Sequence, residues 1–311
     1  MKKKILVTGG CGFIGSHIVE SLSRRNKVIV LDNMSSGKRE LIEEYMNNLN
    51  ISFYEADLVK NNISSHFKDI SEVWHVAANP DVRLCNKHVN VCIEQNIIAT
   101  QNVLKAMREN QINNLYFTSS SAVYGEPKKI PTAENYSPMK PISTYGMSKL
   151  KCEAIISAYC YSSELKAVIF RLANVIGARS SHGVIHDFIE KLKKDKNELE
   201  ILGNGQQNKS YIHIDDCIEA MFFSIKNSSK PFDVFNIGSY DQIKVIKIAE
   251  IISKGLGLSP KIKFTGGKKG WKGDVPEMLL SVEKLKGFGW EPRYNSEEAV
   301  TKTVKECLNY A

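Results

Sequence analysis

The stretch Val7–Glu20, VTGGCGFIGSHIVE, constrains this chain more than any other. Gly9, Gly12 and Gly15 recur at even spacing, directly after the apolar run Lys4–Thr8. A helical pattern follows at once, with Ile14, Ile18, Val19 and Leu22 on one face. A strand, a glycine turn and a helix start in that order let the backbone approach a pyrophosphate, with free N–H groups pointing at it. A second apolar run, Lys27–Asp32, ends in a carboxylate. A carboxylate there accepts hydrogen bonds from ribose hydroxyls and repels a 2′-phosphate, and Asn33 rather than arginine follows it. NAD is therefore expected over NADP, with Lys38 and Arg39 as opposing features. Asp57, at the end of a third run, is placed to meet the adenine, its other reading being a cap for the turn that follows.

Further runs repeat the rhythm. Ile51–Asp57, Ser71–Ala78, Asn114–Ser121 and Lys166–Ala173 read as strands, and Cys92–Asn110 and Thr144–Ser162 as helices. Near-continuous apolar strands alternating with helices imply a parallel sheet covered on both faces, with ligands at the carboxyl ends of its strands. After Ala173 the loops lengthen and gather glycine and basic residues, as in GNGQQNKS and TGGKKGWKGD, with helices expected over Gly183–Lys194 and Ile243–Gly255. The reading is a doubly wound α/β domain over 1–173 and a smaller α/β domain over 174–311. A return to the first domain is expected at about 211–236.

At 311 residues the chain is long enough for a sizeable core. It has no run of about 18 apolar residues, so no membrane span is expected. Met1–Lys4 is basic, but the apolar run behind it is too short for a signal peptide. The seven cysteines, Cys11, Cys85, Cys92, Cys152, Cys160, Cys217 and Cys307, form neither C-x-x-C nor zinc spacing. They read as reduced thiols in a cytoplasmic protein. The net charge of +8 is spread along the chain. Its densest cluster, Lys191–Lys196, reads as a solvated helix face and not a nucleic-acid surface. A modest positive balance suits an anionic small substrate.

The chemistry follows the fifth strand. SSSAVYG is followed by STYGMSK, in which Tyr145 and Lys149 stand four apart and share a helix face. A tyrosine with a pKa near 10 is a poor base at neutral pH. A neighbouring ammonium would stabilise the phenolate and lower that value, and a serine hydroxyl would bond the reacting oxygen of an alcohol or sugar. Thr8–Gly15, Asp32-Asn33, Ser119–Gly125 and Tyr145-x-x-x-Lys149 together resemble the extended short-chain dehydrogenase/reductase family, in its nucleotide-sugar epimerase branch. The resemblance implies a Rossmann domain. It puts the catalytic serine at Ser120, the base at Tyr145 and its partner at Lys149. It also sets Phe13, Ile14, Leu58, Ala77, Ala78 and Asn96 against the cofactor. A polar contact between helices is the other reading of Asn96, and Asn90 is the weaker choice for that position.

Dehydratases of this family carry Asp-Glu after the catalytic threonine, and UDP-glucuronate decarboxylases carry a glutamate there. Here Ser121 and Ala122 stand in those places. The absence leaves Tyr145 as the clear acid/base and implies 4-epimerisation of a UDP-sugar, with NAD tightly bound. Substrate contacts then fall on Ser120, Ser121, Tyr145, Asn174, Lys209, Tyr211, Lys269, Asp274 and Met278. Lys209 replaces a family arginine, Lys269 or Lys272 another, and Met278 a bulky tyrosine, which opens space for N-acetylated sugars. A homodimer is implied by resemblance alone. A reductase, another epimerase, or a non-catalytic NAD-binding regulatory protein are the alternatives.

Overall fold

The computed structural model describes residues 2–46 and 50–309. In chain order the first elements are β1 (Lys4–Thr8), α1 (Phe13–Ser23), β2 (Lys27–Asp32), α2 (Glu40–Met46), β3 (Ile51–Glu55) and β4 (Glu72–His75). Then come α3 (Val82–Lys87), α4 (Val89–Cys92), a π-helical turn (Ile93–Ile98), α5 (Ala99–Glu109), β5 (Asn114–Ser120), α6 (Thr144–Ser162) and β6 (Lys166–Leu172). The remainder is β7 (Asn174–Ile176), α7 (Val184–Lys194), β8 (Glu198–Ile201), β9 (Asn208–Lys209), β10 (Tyr211–His213), α8 (Ile214–Asn227), β11 (Phe232–Ile237), β12 (Ile243–Lys244), α9 (Val245–Gly255), β13 (Lys261–Phe264), β14 (Glu277–Met278), α10 (Glu283–Gly287) and α11 (Ser296–Asn309).

Seven strands form one parallel sheet in the order β11-β6-β5-β4-β1-β2-β3. The alternation of apolar strands with helices gives the doubly wound α/β fold the sequence implies. The order reverses between β1 and β4, where Thr8 pairs with His75 on one side and Leu31 on the other. Ligands of such sheets bind at that switch point, beyond the strand ends. Leu6, Val73, Leu115, Phe117 and Ile169 from the strands pack with Val103, Leu104 and Ile156 from the helices.

Two compact units divide the chain. One comprises residues 1–123, 143–170 and 225–234, the other 124–142, 171–224 and 235–311. The expected boundary is corrected in two places. Residues 124–142 leave the first unit because their backbone pairs elsewhere: Thr132 N donates to Leu279 O, and Ser281 N to Thr132 O. The return is shorter than 211–236, since β10 pairs with β7 in parallel and belongs to the second unit. That unit has its own apolar core, with Phe188, Leu199, Ile201, Ile248, Ile252 and Val300.

The long helix expected over Cys92–Asn110 is interrupted by the π turn at Ile93–Ile98, which aims Asn96 inward. Four expected strands end one to three residues early, where the chain turns into the loops that build the site. The reading of seven reduced thiols fails at one pair: Cys85 and Cys92 form a disulfide. A break at His88 separates α3 from α4 and brings the two Cα atoms to 5.3 Å, a closeness that a spacing of seven does not announce. The thiol argument for a cytoplasmic protein is thereby removed. Among the described residues, no helix is long and apolar enough to cross a membrane.

Candidate functional site

In the first unit the glycine turn leaves no room for side chains. Gly9 has φ +69°, and a Cβ there would lie 2.7 Å from the Ala77 backbone. A Cβ on Gly15 would lie 2.0 Å from Gly9 O. The turn therefore folds this tightly only with glycine at both positions. It delivers the chain to α1, whose N-cap, Gly12, supplies no side-chain bond to the helix N–H groups ahead of Phe13 and Ile14. Beside it Asp32 is buried, accepting from Cys11 N at 2.9 Å and Met34 N at 3.0 Å. Burial pushes the Asp32 pKa up, and the two backbone bonds work against that rise. A carboxylate has about four acceptor sites, so two backbone donors leave capacity for a vicinal diol. Asn33 bonds Ser35, and Asp57 accepts from Val59 N at 2.8 Å, so Asp57 does serve as a turn cap. Leu58 is buried at the same turn, its carbonyl accepting from Asn102. Ala77 N donates to Thr8 O at 3.0 Å, closing the β4 end onto β1 next to Ala78. The tight glycine turn, the uncapped helix start and the adjacent buried carboxylate fit a dinucleotide.

The catalytic candidates meet at the carboxyl end of β5. Ser120 ends that strand, and Ser143 caps α6 by accepting from Gly146 N at 3.0 Å, setting Tyr145 in the first turn. Tyr145 receives a hydrogen bond from Ser120. Lys149, one turn on and buried, donates to Thr118 O at 2.8 Å and lies 4.7 Å from the Phe117 ring centre. Burial pushes the Lys149 pKa down to about 8. It pushes Tyr145 up to about 12, against the lowering by Ser120. The expected depression of the tyrosine by the lysine is thus absent from this arrangement. The ammonium is committed to a carbonyl, and desolvation of the phenolate wins.

Asn96 takes the inter-helix reading. Its Oδ1 accepts from Asn79 N at 2.8 Å, and its Nδ2 donates to Ser148 Oγ at 2.8 Å. It thereby links the loop after β4 to α6. Two features escaped sequence reasoning. His75 sits fully buried between Thr8 Oγ1 at 2.8 Å and Thr100 Oγ1 at 3.0 Å. Burial, aided by Lys149, pulls its pKa down to about 3 and keeps it neutral. Glu153, one turn beyond Lys149, accepts from Ser119 Oγ at 2.5 Å. Its i,i+4 spacing from Lys149 was the available signal.

In the second unit, short strands gather the substrate candidates. Lys209 on β9 pairs in register with Met278 on β14, and Asn174 Nδ2 donates to Ser210 O at 3.0 Å. Lys209 Nζ lies 2.5 Å from Asp274 Oδ1 and 5.3 Å from the Trp271 ring centre. Asp274 Oδ2 accepts from Gly270 N at 2.9 Å. The lysine expected to meet a phosphate is thus already paired with the carboxylate expected to meet a ribose. Lys269 stands apart, 2.6 Å from Glu126. Tyr211 is buried in the apolar core of the unit, so its ring packs and offers little surface to a ligand.

The model of the NAD dependent epimerase/dehydratase family matches residues 5–238. The chain belongs to that family. A putative UDP-glucose 4-epimerase of Methanocaldococcus jannaschii is 33% identical, over 98% of each chain. A crystal structure of a UDP-galactose 4-epimerase is 38% identical, with a TM-score of 0.89 over 99% of each chain. A UDP-N-acetylglucosamine 4-epimerase from Methanobrevibacter ruminantium M1, solved with UDP-N-acetylmuramic acid, is 30% identical, with a TM-score of 0.90 over the whole of both chains. The Thermus thermophilus UDP-glucose 4-epimerase, solved with NAD, is 30% identical, with a TM-score of 0.87 over 99% of this chain and 100% of that one. UDP-glucuronic acid decarboxylases match as well, one from Arabidopsis thaliana at 26% over 98% of this chain and 69% of its own. The protein is an NAD-dependent epimerase of the extended short-chain dehydrogenase/reductase type.

Proposed function

We propose that this epimerase inverts C4 of a UDP-hexose, interconverting UDP-galactose and UDP-glucose and admitting their N-acetylated forms. The observation that carries the reading is the Ser120–Tyr145–Lys149 group at the end of β5, followed by Ser121 and Ala122 where water loss or decarboxylation would need carboxylates. The first unit would hold NAD through Gly9, Gly12, Gly15 and Asp32. Asn174, Lys209, Asp274 and Met278 of the second would hold the nucleotide sugar. When bound, NAD would supply the hydride acceptor and a positive charge that favours loss of the hydroxyl proton.

Tyr145 Oη takes the proton of the 4-hydroxyl as hydride leaves C4, and returns it to the same oxygen when hydride comes back to the other face of the 4-keto sugar. Ser120 Oγ bonds the same oxygen and orients it. Burial, opposed by the Ser120 bond, sets the Tyr145 pKa at about 12 in this arrangement, and Lys149, one turn away, would ease formation of the phenolate when its ammonium turns from the carbonyl to the phenol. The reading includes a homodimer, supported by the family resemblance alone.

The deciding experiment incubates the purified protein with UDP-galactose, without added NAD, and follows the sugar by NMR. UDP-glucose should appear with no net NADH change. Consumption of added NADH would mean a reductase, and carbon dioxide released from UDP-glucuronic acid a decarboxylase. Met278 is buried on β14 in register with Lys209, and a flexible methionine there would yield space where a tyrosine would wall off an N-acetyl group.

A further inference from the structure

Lys149 and Glu153 stand one turn apart on α6, and each reaches the last residues of β5. Lys149 donates to Thr118 O at 2.8 Å. Ser119 Oγ donates to Glu153 Oε1 at 2.5 Å, with both residues buried. Ser120, the next residue, bonds Tyr145. Two adjacent strand residues are thus held by two adjacent turns of the helix that carries the base. A buried carboxylate at this place needs both hydrogen bonds and a positive partner, because an isolated charge in an apolar interior is very costly. We propose that Glu153 is a positioning residue of the reaction: its carboxylate holds the end of β5 against α6 and supplies the countercharge of the Lys149 ammonium. The inference rests on the catalytic reading of Tyr145 and Lys149.

The groups around Lys149 leave that task to Glu153. On α6 they are Tyr145, Cys152 and Glu153; on β4, His75; on β5, Phe117 and Thr118, which do not titrate. Burial holds the Cys152 thiol above its ordinary value, so it is neutral where Lys149 titrates. His75 is neutral as well. Burial drives the Lys149 pKa down, while Cys152 and Glu153 oppose the fall. With Cys152 uncharged, the negative charge that acts is that of Glu153.

The sign is set by electrostatics: removing a negative neighbour lowers the pKa of an ammonium. Glu153→Gln keeps an acceptor for Ser119 and removes the charge. It should move the alkaline limb of kcat/KM down by about one pH unit, an effect ordinary for a buried neighbouring charge. Ser119→Ala removes the bond and keeps the charge. It should lower kcat and leave the limb in place. Glu153→Asp keeps the charge on a shorter arm and should behave like Ser119→Ala, which covers the case in which Glu153→Gln does not fold. An unmoved limb in Glu153→Gln, or a limb moved equally by Ser119→Ala or by Glu153→Asp, would overturn the proposal.

A second readout is independent of turnover. In protein labelled with 13C-lysine, the signal that vanishes in Lys149→Met reports the Lys149 titration by NMR. That titration must fall in Glu153→Gln, and an unchanged one sinks the inference even if Tyr145 proves catalytic. Conversely, turnover by Tyr145→Phe would remove the catalytic reading while leaving the NMR result intact.

Discussion

The end of β5 in the first unit and the β9–β14 pairing in the second are each built around a lysine, buried at Lys149 and half-buried at Lys209, and they solve the problem differently. Lys149 bonds a backbone carbonyl at 2.8 Å, lies near an aromatic ring, and has its carboxylate one helical turn away. Lys209 bonds a carboxylate directly, at 2.5 Å, with that carboxylate brought by a loop 65 residues on. The first arrangement keeps a charge close to its pKa, where a proton acceptor can use it. The second neutralises the charge, so under the proposed function a diphosphate would have to compete with Asp274 for the ammonium. One lysine is set by a single helix and a single strand, the other by pieces that meet only when the unit folds.

The sharpest way to break this contrast is at the base. Tyr145→Phe should lower turnover by roughly 10²–10⁴-fold, the range for loss of a general acid/base, while NAD stays bound. Absorbance of the purified variant and NMR of the sugar read both at once. Activity close to wild type would mean that the β5 end is not where the proton moves.

The second-unit pair comes next. Lys209→Met leaves the Asp274 carboxylate, 2% exposed, without its cation. Removing one partner of a buried pair costs about 3–5 kcal/mol, so thermal stability should fall and UDP affinity with it. Adding Asp274→Asn to the same chain should restore much of the stability and not the affinity. If the single variant melts like wild type, the pair contributes no stability to the unit.

A smaller effect concerns sugar choice. Met278→Tyr should depress kcat/KM for UDP-N-acetylgalactosamine about tenfold against UDP-galactose, the usual size for a pocket-volume change. Equal loss on both sugars would show that Met278 is core alone.

The smallest effect is in pH. Burial pulls the His213 pKa down, but hydrogen bonds to Asp215 and Glu306 outweigh it and hold the value above the ordinary 6.5. A raised native pKa contributes stability that is complete below the unfolded value and lost as pH rises through the native one. Melting temperatures should therefore decline from near pH 6.5 upward, and His213→Asn should flatten that slope. A slope unchanged in the variant would assign the decline elsewhere.

Where residues act through local geometry, the chain was legible. The glycine turn, Asp32 at a strand end, and Tyr145 with Lys149 on one helical face follow from spacings of three and four, and α6 has the bounds expected, Thr144–Ser162. Glu153 is equally local but does not stand out, because a glutamate four residues from a lysine is common on exposed helices; only its burial against Ser119 marks it. Distant encounters were not legible. Nothing in the spacing of Cys85 and Cys92 tells that a helix break at His88 will join them, nor that Lys209 will find Asp274.

The sequence by itself determined the doubly wound sheet, the tight glycine turn and the placing of Tyr145 and Lys149 on one helix face, because apolar strand runs, period-3.6 patterns and backbone-limited glycines are properties of short segments. The tertiary structure alone decided the charge states. Burial raises Tyr145, lowers Lys149 and silences His75, and desolvation depends on what the rest of the chain packs around each group.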